Sequence, residues 1–221
     1  MKKLKQILGI ASCFIAGAVM ANADDLGRWY LEGKGNVMWH KDLEVNRTVT
    51  GVEGVTQKHD YKVGGGGALS IGAIIDCWRV EIEGAYGRNK LDKITQSQPN
   101  VNDITQDATG YYEQWTIMGN IFYDIPVVDD FGIYLGIGAG IAFQETEVNS
   151  ETASLTTKFK TEDTLFAVQG MPGIYYNVSD CVTFTLGYKI KGTSKPKLSK
   201  DFEVKKVPVT HAIEAGIRLK F

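Results

Sequence analysis

Residue types that could support catalysis are sparse in this sequence. The chain has three histidines, His40, His59 and His211. The first two lie in or beside one polar stretch that also holds the carboxylates Asp42, Glu53 and Asp60. A histidine and a carboxylate could form the base and orienting acid of a protease. Polar side chains grouped in a loop are more commonly only solvated, so we expect no enzymatic activity here.

His211 is the remaining candidate base, and it lies in a segment of strand-like alternation, where it faces outward. A hydrolase acting on lipid would need a nucleophile, a base and an orienting acid within hydrogen-bonding reach. The residue two positions away on the same face is Ile213, not serine. Metal chemistry is equally unsupported, because loop aspartates such as Asp103 and Asp107 are too scattered for a calcium site and no His or Cys cluster occurs. We expect no cofactor and no metal.

Charged residues at alternate positions form the other notable pattern. Arg79, Glu81 and Glu83 follow one another at every second position, and Glu32 with Lys34 and Glu214 with Arg218 have similar even spacings. Successive side chains leave a β-strand on opposite faces, so each set shares one face of a strand. Three charges on one face cannot contact lipid, so in a membrane strand this face has to point away from the lipid.

The C-terminal segment VPVTHAIEAGIRLKF shows this alternation clearly. From Val207 onward the odd positions are mostly apolar and the even positions mostly polar. Chain ends are usually frayed unless they are tied into structure, so a regular strand closed by Phe221 indicates an end that is held in a sheet.

Eight segments repeat this two-faced pattern, each compatible with the roughly nine to eleven residues of a tilted membrane strand. They are 29–39, 61–75, 78–86, 115–123, 131–143, 166–176, 182–190 and 207–221. Pro172 falls inside the sixth segment, where we expect a bulge or irregularity. Short turns are predicted at Asp76-Cys77, around Pro126 and at 177–180, whereas 40–60, 88–110, 144–162 and 192–206 are predicted to be long polar loops.

Short turns at one end and long loops at the other are the layout of an outer-membrane barrel with the short turns in the periplasm. Aromatic residues should mark the two interfaces between the apolar band and water. At the short-turn end these are Trp29, Trp78, Tyr123, Phe131, Tyr176 and Phe221; at the other end they are Trp39, Tyr61, Tyr86, Trp115 and Phe143. The fold class predicted is all-β, an eight-stranded antiparallel transmembrane barrel.

The N-terminal segment predicts export. Lys2, Lys3 and Lys5 precede an apolar run that ends before Ala21-Asn22-Ala23, the pattern of a signal peptide over residues 1–23. An alternative is a lipoprotein box at 10–13, ending in Cys13. The predicted barrel domain is 24–221. Without the three leader lysines, 21 of the 24 basic residues remain against 26 acidic ones, so the net charge is about −5. No basic patch with interleaved aromatics indicates nucleic-acid binding.

Two cysteines remain in the predicted mature chain, Cys77 and Cys181. By strand order they occupy the first and third short turns, on opposite sides of an eight-stranded ring. A disulfide needs Cα atoms within about 7 Å. We therefore expect no bond between them within one molecule.

The segments WYLEGKGNV, FGIYLGIGAGIAF, FAVQGMPGIYYNVSDCVTFTLGYKI and EAGIRLKF resemble the small eight-stranded outer-membrane barrels, OmpA-like and opacity-type, which include surface antigens of intracellular bacteria. The resemblance implies a non-enzymatic surface protein with a structural, adhesive or host-interaction role through its loops. It also implies that the barrel-insertion machinery reads the terminal strand through Ile213, Ile217, Leu219 and Phe221. Outer-membrane lipid, that machinery and a host-surface ligand are the partners expected.

A small diffusion pore is the alternative function. Eight strands enclose an interior just wide enough for side chains to fill it. The inward charges have both signs, and buried charges persist only when paired. We therefore predict a luminal charge network, in which Arg79 and Arg218 pair with members of the acidic set. Its members are Glu32, Lys34, Arg79, Glu81, Glu83, Glu214 and Arg218.

Overall fold

The computed structural model describes the backbone of residues 27–40, 43–49, 52–98, 101–152, 155–194, 202–204 and 208–221. Side-chain environments are described for 27–39, 62–91, 110–147, 163–194 and 208–221. The predicted leader, 1–23, and the alternative lipoprotein box lie outside these residues.

The described chain forms β-strands joined by turns. In order they are β1 (Arg28–His40), β2 (Leu43–Val49), β3 (Val52–Tyr61), β4 (Gly64–Ile75), β5 (Trp78–Gln98), β6 (Val101–Val128), β7 (Phe131–Thr152), β8 (Leu155–Asn177), β9 (Val182–Thr193), β10 (Phe202–Val204) and β11 (Val209–Lys220). Within the described residues, no helix is long and apolar enough to cross a membrane.

Eight of these strands close into an antiparallel barrel, as the sequence predicts. Going round the ring, the strands are β1, β4, β5, β6, β7, β8, β9 and β11, and β11 returns to β1. The additional strands lie at the long-hairpin end, where β3 pairs with β5, β2 with β3, and β10 with β2. A closed ring has no unpaired edge within the barrel.

Alternation sorts the side chains between the inside and the outside of the ring. Outward apolar residues are exposed, for example Leu69 at 75% and Ile137 at 71%. Inward residues are buried, and they include aromatic side chains such as Tyr30, Phe122 and Tyr134. The inside of the barrel therefore carries the polar and aromatic core, and the outside carries the aliphatic surface, which is the reverse of a water-soluble protein.

The last residue is tied into the barrel by its backbone. The Phe221 amide donates to the Trp29 carbonyl oxygen over 2.9 Å, and the Trp29 amide donates to the Phe221 oxygen over 3.1 Å. This reciprocal pair joins the end of β11 to the start of β1. The ring is thus sealed by its terminal residue at the short-turn end.

Two of the three short turns lie where the sequence predicts them, at Asp76-Cys77 and, one residue later than predicted, at 178–181, whereas the turn after β6 differs. Asp76 adopts a φ of 53° in the β4–β5 turn, a left-handed conformation that Asp tolerates better than most residues. Pro126 is not in the turn after β6. It lies within that strand beside a register shift, and Asp129 and Asp130 form the turn instead.

The irregularity expected at Pro172 is present, but it is not a bulge. Pro172 pairs with Leu135 on the β7 side. On the β9 side the paired residues resume at Gly173 after stopping at Gly170, and the register is the same before and after the gap. Proline has no N–H group to donate, which explains why the β8–β9 hydrogen-bond ladder is interrupted while its register is unchanged.

Three of the four long polar loops predicted from the sequence are largely strands, and most of the fourth, 192–206, lies outside the described residues. β5 and β6 continue as a paired hairpin to Gln98 and Val101, and β7 and β8 continue to Thr152 and Leu155. The stretch between β1 and β4 holds the β2–β3 hairpin. A hairpin beyond the membrane needs no apolar face, so its strands show no alternation of polarity that the sequence could reveal.

Cys77 and Cys181 are free thiols in the described part of the chain. Cys77 lies in the β4–β5 turn and Cys181 in the β8–β9 turn. Two strands separate these turns in either direction around the ring, β1 with β11 on one side and β6 with β7 on the other.

Candidate functional site in the barrel lumen

The lumen at mid-height is filled by a cluster of charged side chains. We call this set the luminal cluster: Glu32, Lys34, Arg79, Glu81, Glu83, Asp124, Lys189, Glu214 and Arg218. Alternation on β1, β5, β6, β9 and β11 points all of them inward. Burial is nearly complete for most members, with Glu83 at 0%, Arg79 at 1% and Glu32 and Arg218 at 3% exposure. Charges this deep persist only with close partners.

Two lysines and three glutamates form an alternating chain across the upper part of the cluster. Lys34 Nζ lies 3.1 Å from Glu81 Oε1 and 2.9 Å from Glu83 Oε2. Lys189 Nζ lies 2.7 Å from Glu83 Oε1 and 3.0 Å from Glu214 Oε1. Glu83 therefore binds one ammonium group with each of its carboxylate oxygens. The chain connects β5, β1, β9 and β11 through the centre of the barrel.

Two arginines hold the part of the cluster nearer the short turns. Arg218 Nε donates to Glu32 Oε2 over 2.9 Å, and the Thr185 hydroxyl donates to the other oxygen of Glu32 over 2.7 Å. Arg79 Nε donates to Asp124 Oδ2 over 2.7 Å. Each arginine thus has its own carboxylate.

Aromatic rings surround the Arg79 guanidinium. Its Cζ lies 4.3 Å from the Phe122 ring centre and 5.4 Å from that of Tyr134. The Tyr30 hydroxyl receives a long hydrogen bond from Arg79 Nη1, 3.4 Å, and donates to Glu81 Oε2 over 2.7 Å. Cation–π contacts and the tyrosine bridge link the arginines to the lysine–glutamate chain.

Side-chain amides complete the coordination of the glutamates. Asn120 Nδ2 donates to Glu81 Oε1 over 3.0 Å, and Gln169 Nε2 donates to Asn120 Oδ1 over 2.8 Å and to Glu83 Oε1 over 3.3 Å. Hydrogen-bonded networks of this kind strengthen each contact and fix its geometry.

Little free space remains around the cluster. A cavity of about 20 Å³ lies above it and one of about 10 Å³ lies within it. Each has room for about one water molecule. Unpartnered buried atoms include Arg79 Nη2, Asp124 Oδ1 and Asn36 Oδ1, and single waters are suitable partners for such atoms. A larger cavity of about 190 Å³ opens at the short-turn mouth, lined in part by Asp124, Arg218 and Lys220.

The structure brings all seven residues of the predicted network together, but it changes one pairing. Arg218 binds Glu32, a member of the acidic set. Arg79 binds Asp124, which was not in that set. Asp124 directly follows the outward Tyr123, so its inward position could have been read by extending the alternation one residue further.

Four other members of the network were also missed. Lys189, Tyr30, Asn120 and Gln169 are absent from the predicted set. Their contacts depend on which strands face each other across the lumen, and alternation along one strand gives no such information.

Among the residues whose side chains the structure describes, no histidine lies in a catalytic arrangement. The side chains of His40 and His59 lie outside the described residues, as does the stretch that holds Asp42, and Glu53 and Asp60 are described only as backbone in β3. His211 contacts the Tyr188 hydroxyl through Nδ1, and its ring stacks on Trp39 with centroids 6.0 Å apart. Within the described residues, no group of three or more His, Cys, Asp or Glu side chains could hold a metal ion.

Comparison with known families gives one match, to the model of the outer membrane protein beta-barrel domain, over residues 9–221. No curated protein gives a significant match to the chain. Among solved structures, the Neisserial surface protein A (NspA) is similar at 18% identity, with a TM-score of 0.51 and 87% of this chain and 97% of that chain covered.

Two further solved structures have the same fold at low identity. The outer membrane protein OprG from Pseudomonas aeruginosa is 14% identical, with a TM-score of 0.57 and coverage of 89% of this chain and 97% of that chain. The outer membrane protease OmpT from Escherichia coli is 6% identical, with a TM-score of 0.52 and coverage of 88% and 97%. At these identities the likeness concerns the fold alone.

Proposed function

Because this chain belongs to the family of outer-membrane β-barrel domains, we propose that it is a non-enzymatic surface protein whose closed barrel holds long hairpins outside the cell for contact with other surfaces. The chain is a protein of the Gram-negative outer membrane. With short turns in the periplasm, the paired ends of β5–β6 and β7–β8 extend beyond the membrane on the outer side.

The observation that carries the proposal is the filled lumen. The lysine–glutamate chain crosses the barrel, and the cavities next to it have room for about one water each. A conducting pore would need a continuous wet path, whereas these side chains are paired with one another. An occupied interior supports a scaffold role in preference to transport.

The enzyme alternative is not favoured by any described cluster. One structure of the same fold is a protease by name, but 6% identity carries no residue roles to this chain. The described contacts of the His211 ring are with Tyr188 and Trp39, which supply neither a nucleophile nor an orienting carboxylate.

A small pore remains the second candidate because charged side chains from five strands line the lumen at mid-height. Lys34 and Lys189 each have two carboxylate partners, so either lysine could leave one partner and keep the other. Such a rearrangement is the route by which the barrel would open if it conducts.

Planar-bilayer recording separates the two candidates. The wild-type protein should show little steady conductance, and Lys34→Met, which separates Glu81 from the rest of the chain, should raise conductance or lower thermal stability. Lys62→Met, a substitution of an exposed lysine outside the lumen, is the control. Steady conductance by the wild type, with only its ion selectivity altered by Lys34→Met, would replace the scaffold proposal with the pore.

Surface contact is tested separately. Bacteria or vesicles that carry the protein should bind host cells or an extracellular matrix more strongly than those carrying a form in which 92–107 is replaced by a two-residue turn. A shortened form that still folds and binds equally well would remove the β5–β6 hairpin as the contact surface. The corresponding β7–β8 truncation at 148–159 provides the comparison.

A further inference from the structure

A groove of about 910 Å³ crosses the outward face of the barrel from β9 to β6. Its floor is formed by glycines on β1, β4 and β5, and the exposed Leu69 side chain of β4 stands between two of them, Gly33 and Gly84. Phe184 and Ile217 border one end, and Tyr86 and Trp115 border the other. The floor glycines are Gly33, Gly35, Gly67 and Gly84. The groove therefore faces the hydrocarbon of the membrane.

Packing inside the protein does not explain the two most open of these glycines. A Cβ atom at Gly35 or Gly84 would meet nothing within 4 Å, and one at Gly33 would meet only the end of Leu69, at 3.8 Å. Inward glycines differ, because a Cβ at Gly136 would overlap the Phe122 ring and one at Gly173 would overlap Tyr134. Glycine weakens a strand unless something approaches the backbone closely. At Gly35 and Gly84 that approach has to come from outside the barrel.

The depth of the groove indicates what fills it. Its outer end lies at the Tyr86–Trp115 pair, whose ring centroids are 4.7 Å apart and which belongs to the aromatic belt at the outer interface. Phe184, at the other end, lies two residues into β9 from the short-turn side. The groove thus runs through the apolar band of the outer leaflet and below it, where acyl chains are the surrounding solvent.

A fixed cation lies just beyond the outer end of the groove. Arg88 is two residues past Tyr86 on the same outward face, and its register partner on β4 is Gly65, which has no side chain to cover it. Arg88 Nε lies 3.2 Å from Glu113 Oε1, and its Cζ lies 4.5 Å from the Tyr111 ring centre. The side chain is nevertheless 49% exposed. Its guanidinium is therefore held by Glu113 and Tyr111 and is still accessible from outside the protein.

The ring beneath this guanidinium is itself anchored. The Tyr111 hydroxyl donates to Glu147 Oε2 over 2.6 Å, and this hydrogen bond raises the pKa of Tyr111 to about 12. Lys90, the next outward residue of β5, is exposed and adds a second cation beyond Arg88. The outer end of the groove therefore combines a positioned guanidinium with a nearby ammonium group.

We propose that this groove binds an acyl chain of an outer-leaflet lipid whose anionic phosphate group contacts Arg88 and Lys90. Guanidinium groups form paired hydrogen bonds with phosphate oxygens, and the two cations follow the apolar groove along β5 as a head group follows its acyl chain. A second copy of the protein fits less well. Two copies in the same membrane would bring Arg88 and Lys90 of each to the same height, where like charges repel.

Native mass spectrometry of the detergent-solubilised barrel tests the site. The probes are phosphatidylglycerol and diacylglycerol with the same acyl chains. Wild-type protein should retain phosphatidylglycerol in preference to diacylglycerol, and Arg88→Ala should weaken that retention about tenfold, as expected for a lost charged hydrogen bond. Gly84→Leu should weaken it by filling the floor, and Gly35→Leu is a second floor variant in case Gly84→Leu does not fold.

Two substitutions serve as controls. Arg28→Ala removes an exposed arginine at the short-turn end, outside the groove, and Ala139→Leu adds similar bulk to the outward face of β7, away from the groove; both should retain phosphatidylglycerol like the wild type. Equal retention by wild type, Arg88→Ala and the folded floor variants would overturn the proposal. Equal retention of both lipids would also overturn it. A dimer that a floor variant abolishes, with no dependence on lipid, would assign the groove to a second copy and overturn it as well.

Discussion

Glu32 and Arg218 are directly opposite each other on the neighbouring strands β1 and β11, and their side chains form a 2.9 Å ionic hydrogen bond inside the barrel. The pair lies on the first and last strands of the ring. It therefore reinforces, from within, the seam at which the barrel closes.

Replacing one member of this pair should destabilise the barrel more, for each substitution, than replacing both members together. Glu32→Gln or Arg218→Met alone leaves a buried charge without its partner, at an expected cost of about 3 to 5 kcal/mol in the free energy of unfolding. The double variant should lose less than the sum of the two single losses. Urea unfolding in lipid vesicles, as a double-mutant cycle, measures the coupling; additive losses would show that the two side chains are independent.

The loss of barrel stability caused by an outward charge should depend on the depth of that charge in the membrane. Ile137→Arg places a guanidinium on the lipid face at the middle of the apolar segment 131–143 of β7 and should destabilise the barrel by about 2 to 4 kcal/mol. Val127→Arg, next to the short turn after β6, should cost about 0 to 1 kcal/mol. Ile137→Leu is the conservative control. The two arginine variants should not unfold at the same urea concentration.

Inward and outward glycines should respond in opposite ways to a methyl group. Gly136→Ala would overlap the Phe122 ring and should destabilise the protein by about 1 to 3 kcal/mol. Gly35→Ala meets no neighbouring atom and should be neutral or stabilising by up to about 1 kcal/mol. Thermal unfolding of both variants in one detergent makes the comparison, and similar shifts would contradict the assignment of the two faces.

The terminal strand should matter for assembly in cells more than for the folded state. We infer that the insertion machinery reads Ile213, Ile217 and Leu219 on the outward face of β11 together with Phe221, which directly follows that strand. Phe221→Ser should reduce the amount inserted into the outer membrane, while refolding in detergent should proceed, because the bonds between Phe221 and Trp29 involve backbone atoms. Phe184→Ser is the matched outward aromatic control. Equal insertion of the two variants would remove the terminal aromatic as the signal.

The barrel could be predicted from the sequence because one face of every membrane strand must be apolar. The segment Phe131–Phe143 shows this well, since its outward residues are large and its inward residues are mainly glycine around Tyr134. The hairpins beyond the membrane are predicted as loops because both of their faces contact water and neither has to be apolar. Strands such as β2 and β3 therefore show no alternation of polarity in the sequence.

The luminal cluster could be predicted in its membership but only partly in its pairs. Arg79, Glu81 and Glu83 are inward by alternation alone. Whether Arg79 meets Asp124 or a glutamate depends on rotamers and on the stagger of β5 against β6, which places Arg79 opposite Phe122. The groove at Gly35 and Gly84 has the same origin, because it exists only when glycines from three strands become neighbours.

The β7–β8 ladder pairs residue for residue from Phe131 with Tyr176 to Thr152 with Leu155, without a register shift. A single-residue insertion in one arm of this hairpin would exchange the faces of every residue beyond it. Viable length changes in the exposed part are therefore restricted to the tip, to residue pairs, or to matched changes in both arms. The β5–β6 hairpin already absorbs two shifts, between Leu91 and Lys93 and between Gln96 and Gln98. Among natural variants of this protein, insertions and deletions should accumulate in the β5–β6 hairpin, and the β7–β8 hairpin should diversify by substitution at constant length.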